Sequence, residues 1–362
     1  MYKLSDYIPR IEDIAKFNSL VKLINKNSCV AFVGAGVSVN KGYRSWSNLI
    51  YDQSINGTPK GLLEVAGISS KEIEQLKMYS QIMDYCKDRM ARNDFIDFIK
   101  IEYARKSSEI SDNHALICKT NFTHIITTNF DPCLYDNAES LISEIPDLKT
   151  FGANPLELNE HKTLFHLHGR AFIIENEDDL KLNNLIDSLV FGERSFNEAY
   201  IDGFEISSFL YRVMQKFKLF FIGYSMNDEV FNNTTTVITK AYIKFLKDFT
   251  KLNSLREINP ILGYILLTYP LEAYEKLNSK VPGLEEKERN KLIQQIENFK
   301  SEEKRLMDMG LQVIAYNKID NNFSGLTAVL QLIKNDAGMV SLSKPFETPD
   351  ATIVASITGS LL

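Results

Sequence analysis

The sequence predicts an α/β fold, a parallel sheet with helices on both faces, from three observations. Short β-branched and aromatic runs alternate with longer helical patterns, the rhythm of strand–helix repeats. The runs end in Gly, Asn, His or Asp, residue types that suit a ligand beyond the carboxyl end of a strand. The 362 residues, 44% of them hydrophobic and 24% charged, hold ample material for one large domain or two modest ones.

The elements follow in order. A first helix is expected over Ile11 to Ile24, with apolar Ile14, Leu20, Val21 and Leu23. Cys29–Val33 is the first strand. After Trp46 a helical region runs to about Arg105. It is too long for a simple crossover, so a helical insertion over about 47–110 is expected to cover the sheet's edge. Within it, Ser69-Ser70-Lys71-Glu72 reads as a capping box opening one helix, and Asn93 as the N-cap of the next. His124–Thr127, Thr163–Leu167, Leu219–Ile222 and Gln312–Tyr316 are further strands, with Leu262–Thr268 another candidate. Residues 170–188, acidic and polar, read as a loop or short excursion. A charge-dense pattern over about 285–309 reads as a solvated helix beside the last strand. Periodicity stops at Asp336. The expectation is one Rossmann-like body over 1–336 and a tail or linker over 337–362.

Composition narrows the function classes. Lys and Arg total 41 against 47 Asp and Glu, a net charge of −6, so direct nucleic-acid binding is not expected. Four dispersed cysteines without a CxxC pair fit a reducing cytoplasm better than a disulfide framework. The charged start MYKLSDYIPRIEDIAKF does not read as a signal peptide, and no long apolar run predicts a membrane helix. A cytoplasmic location is expected.

Four strand ends carry the chemistry. Val33 runs into Gly34-Ala35-Gly36-Val37-Ser38, where glycines let a backbone approach a diphosphate and a following helix start offers N–H groups. Val39 stands where a dinucleotide fingerprint has its third glycine, and a tight turn without a ligand explains the same residues. Thr127-Thr128-Asn129-Phe130-Asp131 places polar groups after an apolar strand. The Asn129 amide can donate and accept at once, although Asn129 and Asp131 also suit a helix cap. In His166-Leu167-His168-Gly169, His168 ends an apolar strand, so both imidazoles are expected on one face, and His168 beside a glycine favours function. His114 and His124 read as core residues, and His161 as loop. Gly223-Tyr224-Ser225-Met226-Asn227-Asp228 suits ribose and adenine, or a helix cap.

In this order, over about residues 25–335, the four strand ends resemble the NAD site of the sirtuin (silent information regulator) superfamily. The resemblance implies that Gly34, Ala35, Gly36 and Ser38 hold the diphosphate. It implies that Asn129 and Asp131 face the nicotinamide ribose, that His168 is the catalytic histidine, and that Gly223 and Ser225 meet the adenosine. Thr128, Asn227 and Asp228 join the implied NAD-binding set. Deacylating sirtuins carry a zinc module of two cysteine pairs after the His-Gly motif, whereas no cysteine follows Cys133 here, so no metal is expected. The Gly42…Trp46…Leu49 spacing, Thr-Thr-Asn-Phe-Asp and Gly-Tyr-Ser-x-Asn-Asp are similar to a zinc-free bacterial branch whose members cleave NAD in anti-phage defence.

That resemblance implies an NAD⁺ glycohydrolase releasing nicotinamide and ADP-ribose and depleting NAD in abortive infection. Asn129 would orient the ribose hydroxyls and a water. His168, at its ordinary pKa of ~6.5, would take a proton. Two other readings stand beside it: a non-catalytic NAD or ADP-ribose sensor or assembly module, and an NAD-dependent protein deacylase, which the missing zinc module disfavours. Because an unregulated NADase endangers its host, a homo-oligomer is expected, with His168 gated by the insertion or a neighbouring subunit. A partner is expected too, either a defence protein such as a hexameric DNA-translocating ATPase or a phage-derived activator.

Overall fold

The computed structural model describes residues 3–52, 60–104, 112–138, 143–145, 162–173, 177–203, 205–224, 239, 261–279, 285–319 and 324–338. Its strands are β1 (Cys29–Val33), β2 (Ile125–Thr127), β3 (Ser143–Ile145), β4 (Thr163–His166), β5 (Lys218–Ile222), β6 (Gly263–Tyr269) and β7 (Leu311–Asn317). They form one seven-stranded sheet in the order β3-β4-β2-β1-β5-β6-β7, with every pairing parallel. This is the α/β, Rossmann-like architecture expected.

Alternation along β1 explains the layering. Ala31 and Val33 face one side, where helices Ile11–Asn25, Asp112–Lys119 and Ser324–Gly338 bury Phe17, Leu20, Ile117, Val329 and Ile333 against the sheet. Val30 and Phe32 face the other, against Phe209, Leu210 and Val213 of helix Glu205–Lys216. The charge-dense helix, Glu286–Asp308, buries only Leu292, Ile296, Phe299 and Leu306 and leaves most of its charges outward. No helix among the described residues is long and apolar enough to cross a membrane.

The insertion has a core of its own. Leu49, Ile50, Leu62, Ile82, Met83, Phe95, Ile96 and Ile99 pack together, and Phe130 and Phe191 join that cluster to the residues beyond the strand ends. The Ser69–Glu72 box is present, with Ser69 N–H and Oγ both donating to Glu72 at 2.8 and 2.9 Å, but it opens a single 3₁₀ turn, Ser70–Ile73.

Several expectations need correction. The helix expected to start at Asn93 runs over Arg92–Tyr103 with Ala91 at its N-cap, so Asn93 lies in its first turn. Residues 170–188 are not all loop: Asp179–Asp187 is a helix capped by Asp178, with Leu182, Leu185 and Ile186 buried at helical spacing. β3 was not anticipated. β4 ends at His166, so His168 sits in the following turn and the shared-face argument for the two histidines does not apply. The final helix continues past Asp336 to Gly338, and residues 339–362 lie outside the described residues.

Candidate functional site

β1 lies between β2 and β5, and the chain passes from β4 on one flank to β5 on the other. Loops leaving β1, β2 and β5 therefore meet in a crevice at the carboxyl ends, the position where open α/β sheets take ligands. A cleft of about 50 Å³ lies there. Ala35, Ser38, Thr128, Asn129 and Asp131 line it from the strand ends, Tyr224 from beyond β5, Tyr43, Arg44 and Trp46 from the stretch leading into the insertion, and Tyr103 from the insertion itself. Arg44 and Glu102 form a buried ion pair, with Nη2 2.8 Å from Oε2.

The Gly-Ala-Gly loop is built differently from the expectation. No regular helix follows it: two 3₁₀ turns, Ala35–Val37 and Val39–Lys41, take that place. Gly34 N–H donates to the Ile222 carbonyl at 3.0 Å and Gly36 N–H to the Gly223 carbonyl at 2.7 Å, so neither is available to a phosphate. Val37 and Ser38 N–H bond back to Gly34 and Ala35. Among the described residues, the Ala35 amide is the loop donor left open. The glycines serve loop packing, since a Cβ on Gly36 would lie 2.6 Å from the Gly223 carbonyl oxygen. Ser225, Asn227 and Asp228 lie outside the described residues, as does His161.

Asn129 is the most constrained group in the cleft. Its backbone N–H donates to Thr127 Oγ1 at 3.0 Å, and its carbonyl accepts from His166 Nδ1 at 3.0 Å. Its Nδ2 donates to the Gly34 carbonyl at 3.3 Å and to Ser38 Oγ at 3.2 Å. Only Oδ1 remains. It is buried without a hydrogen-bond partner among the described residues, on a residue that lines the cleft. A buried acceptor left unmade costs about 1–3 kcal/mol, so a site that keeps one is suited to a ligand donor.

Behind Asn129 stands a residue first read as ordinary core. His114 is fully buried, its Nε2 lies 3.1 Å from Ser38 Oγ, and its Nδ1 has no hydrogen-bond partner among the described residues. Burial pushes its pKa down to about 4 against the pull of Asp131. No local pattern marked it, because Ser38 is 76 residues away. Asp131 caps helix Cys133–Ala138 by accepting from Cys133 N–H at 3.0 Å, the capping role left open from sequence. Ligand atoms of His114, Asp131 and Cys133 lie within 4.8 Å of one another, a potential metal-ligand group among the described residues. Burial also raises the Cys133 thiol pKa, as does the neighbouring Asp131.

His168 departs most from expectation. It is 4% exposed, its Nε2 is 2.8 Å from the Tyr200 hydroxyl, and Phe196 stacks on Tyr200 at 4.0 Å. Burial pushes its pKa down to about 3, not the ordinary 6.5 assumed from sequence. Its ring packs 6.5 Å from Phe130, whose other neighbours include Trp46 and Tyr103. Tyr200, on the π-helical turn Glu198–Asp202, had no sequence signal, though such turns occur often at functional sites.

The chain matches no curated protein. Residues 123–255 match a family model described as a SIR2-like domain, a stretch that includes Asn129, Asp131, His168 and β5. Over that stretch the chain is similar to SIR2-like domains, a family that usually acts on NAD⁺.

Proposed function

We propose that the chain hydrolyses NAD⁺ at the bond between nicotinamide and ribose, releasing nicotinamide and ADP-ribose. The observation that supports it best is Asn129, whose every polar group but Oδ1 is held by the protein. Cleavage at that carbon passes through an oxocarbenium-like transition state and needs a ribose held still and one water admitted. Oδ1 accepts from a ribose hydroxyl or from that water. The Ala35 amide is the loop donor available to the diphosphate. His168, neutral at pH 7, accepts a proton once Phe130 and Tyr200 give it access to the cleft.

NAD⁺ is a substrate in this reading, and no metal takes part. Asp131 and Cys133 are read as structural groups, because Asp131 is engaged as a cap and burial holds the thiol protonated. Stoichiometric zinc in the purified protein would overturn that part. The setting proposed is anti-phage defence by NAD⁺ depletion, with self-assembly or a partner protein opening the site. It follows from the resemblance of the Gly42…Trp46…Leu49 stretch.

The test is nicotinamide release from NAD⁺ without any acylated peptide, with and without candidate partners. Asn129→Ala is expected to abolish release while leaving the circular dichroism spectrum and Tm near wild type. An alanine variant with wild-type turnover removes Asn129 from the mechanism. One observation favours a second reading, a sensor of NAD⁺ or ADP-ribose: His168 is enclosed and the cleft is small. ADP-ribose binding without nicotinamide release under any condition would establish the sensor instead.

A further inference from the structure

Asn129 is useful only if its amide faces the right way, and that orientation depends on a chain of donors and acceptors. A serine hydroxyl is ambivalent: it can accept from an asparagine N–H or donate to its oxygen. Ser38 alone would tolerate either amide orientation. The Gly34 carbonyl, which can only accept, already favours Nδ2 on that side at 3.3 Å, and His114 brings Ser38 into line with it. With Nε2 3.1 Å from Ser38 Oγ, an unprotonated Nε2 takes the Ser38 proton and leaves Oγ as an acceptor. Oγ then fits Nδ2 of Asn129, 3.2 Å away, and the unpartnered Oδ1 is left for a ligand donor.

We propose that His114 is a positioning residue that acts through Ser38 to fix the Asn129 amide with its oxygen presented to the ligand. The role rests on the reading of this cleft as an NAD⁺ cleavage site. For Nε2 to accept, the ring proton must sit on Nδ1. Ser38, His114 and Asp131 resemble a nucleophilic Ser–His–Asp set in identity, but the arrangement opposes that use. Ser38 is 1% exposed and its oxygen already accepts from Asn129, so it is not presented to a ligand as a nucleophile.

Two measurements test it. The first is independent of activity: the protein, which has five histidines, is labelled with ¹⁵N-histidine and the tautomers read by NMR. His114 is expected with its proton on Nδ1 and an unprotonated Nε2 whose shift changes in Ser38→Ala. A proton on Nε2 overturns the proposal, and the wild-type reading stands even where a variant fails to fold. The second is kinetic. His114→Leu is expected to lower kcat for nicotinamide release ~10-fold or more with KM changed less than ~3-fold, as for a group needed in the transition state. His114→Gln, which keeps an acceptor, is expected within ~3-fold of wild type, and His114→Leu added to Ser38→Ala should cost less than ~2-fold more, because coupled groups are not additive. Wild-type kcat in His114→Leu, or additive losses, overturns the proposal. A wild-type protein that releases no nicotinamide overturns the cleavage reading and His114's part in it. Release with the His114 proton on Nε2 overturns the His114 role alone.

Discussion

The two histidines that flank Leu167 do different work at the residue scale. His166 is completely buried and spends Nδ1 on the Asn129 carbonyl, so it supports the backbone of the cleft. His168 is one turn further, bonded to Tyr200 and enclosed by Phe130 and Phe196. His168→Ala is expected to lower nicotinamide release by ~10²–10⁴-fold, the usual range for a lost acid–base group. His166→Ala is expected to act mainly on stability, by about 1–3 kcal/mol, because it strands a buried carbonyl acceptor. Thermal melts and steady-state rates on both variants check the pair. A larger rate loss in His166→Ala with an unchanged Tm would reverse the assignment.

At the scale of elements, the glycines after β1 and β5 hold the two loops together. A Cβ on Gly36 meets the Gly223 carbonyl at 2.6 Å, and neither backbone can yield without parting the loops. Gly67, at φ 66°, has open space around its missing Cβ, so Gly67→Ala meets only left-handed strain of roughly 1–2 kcal/mol. Gly36→Ala is therefore expected to lower Tm well beyond Gly67→Ala, and equal shifts in differential scanning calorimetry would show that the loops tolerate separation. The Gly-Ala-Gly run was legible as a special turn, but what it approaches was not, because Gly223 lies far along the chain. The same limit hid His114, whose partner Ser38 arrives only through the fold. Strands such as Cys29–Val33 were legible because burial on both faces leaves continuous apolar runs. Ser143–Ile145 is three residues at the sheet's edge and carries no such run. Asp179–Asp187 was hidden by its acidic flanks, although Leu182, Leu185 and Ile186 keep helical spacing.

For the whole molecule, buried histidines set how stability follows pH. Burial pushes His114 and His124 down to about 4 and His168 down to about 3, from an ordinary 6.5. The unfolded chain binds protons at these positions below about pH 6.5, whereas the folded chain refuses them until about pH 4 or 3. Between those limits the unfolded state holds more protons, so stability is fully present above pH 6.5 and declines as pH falls. At pH 5 each histidine contributes a loss of roughly 2 kcal/mol. His124 isolates the effect, because it lies outside the cleft, packed edge-on against Phe165 and Phe217, with neither ring nitrogen hydrogen-bonded. His124→Leu removes one protonation and two stranded nitrogens, so it is expected to raise Tm at pH 7 and to flatten its fall toward pH 5. Nicotinamide release at pH 7 should stay at the wild-type level. Urea melts of both proteins from pH 8 to pH 5 decide the matter. Parallel curves would mean that His124 takes up its proton in the folded state as readily as in the unfolded one.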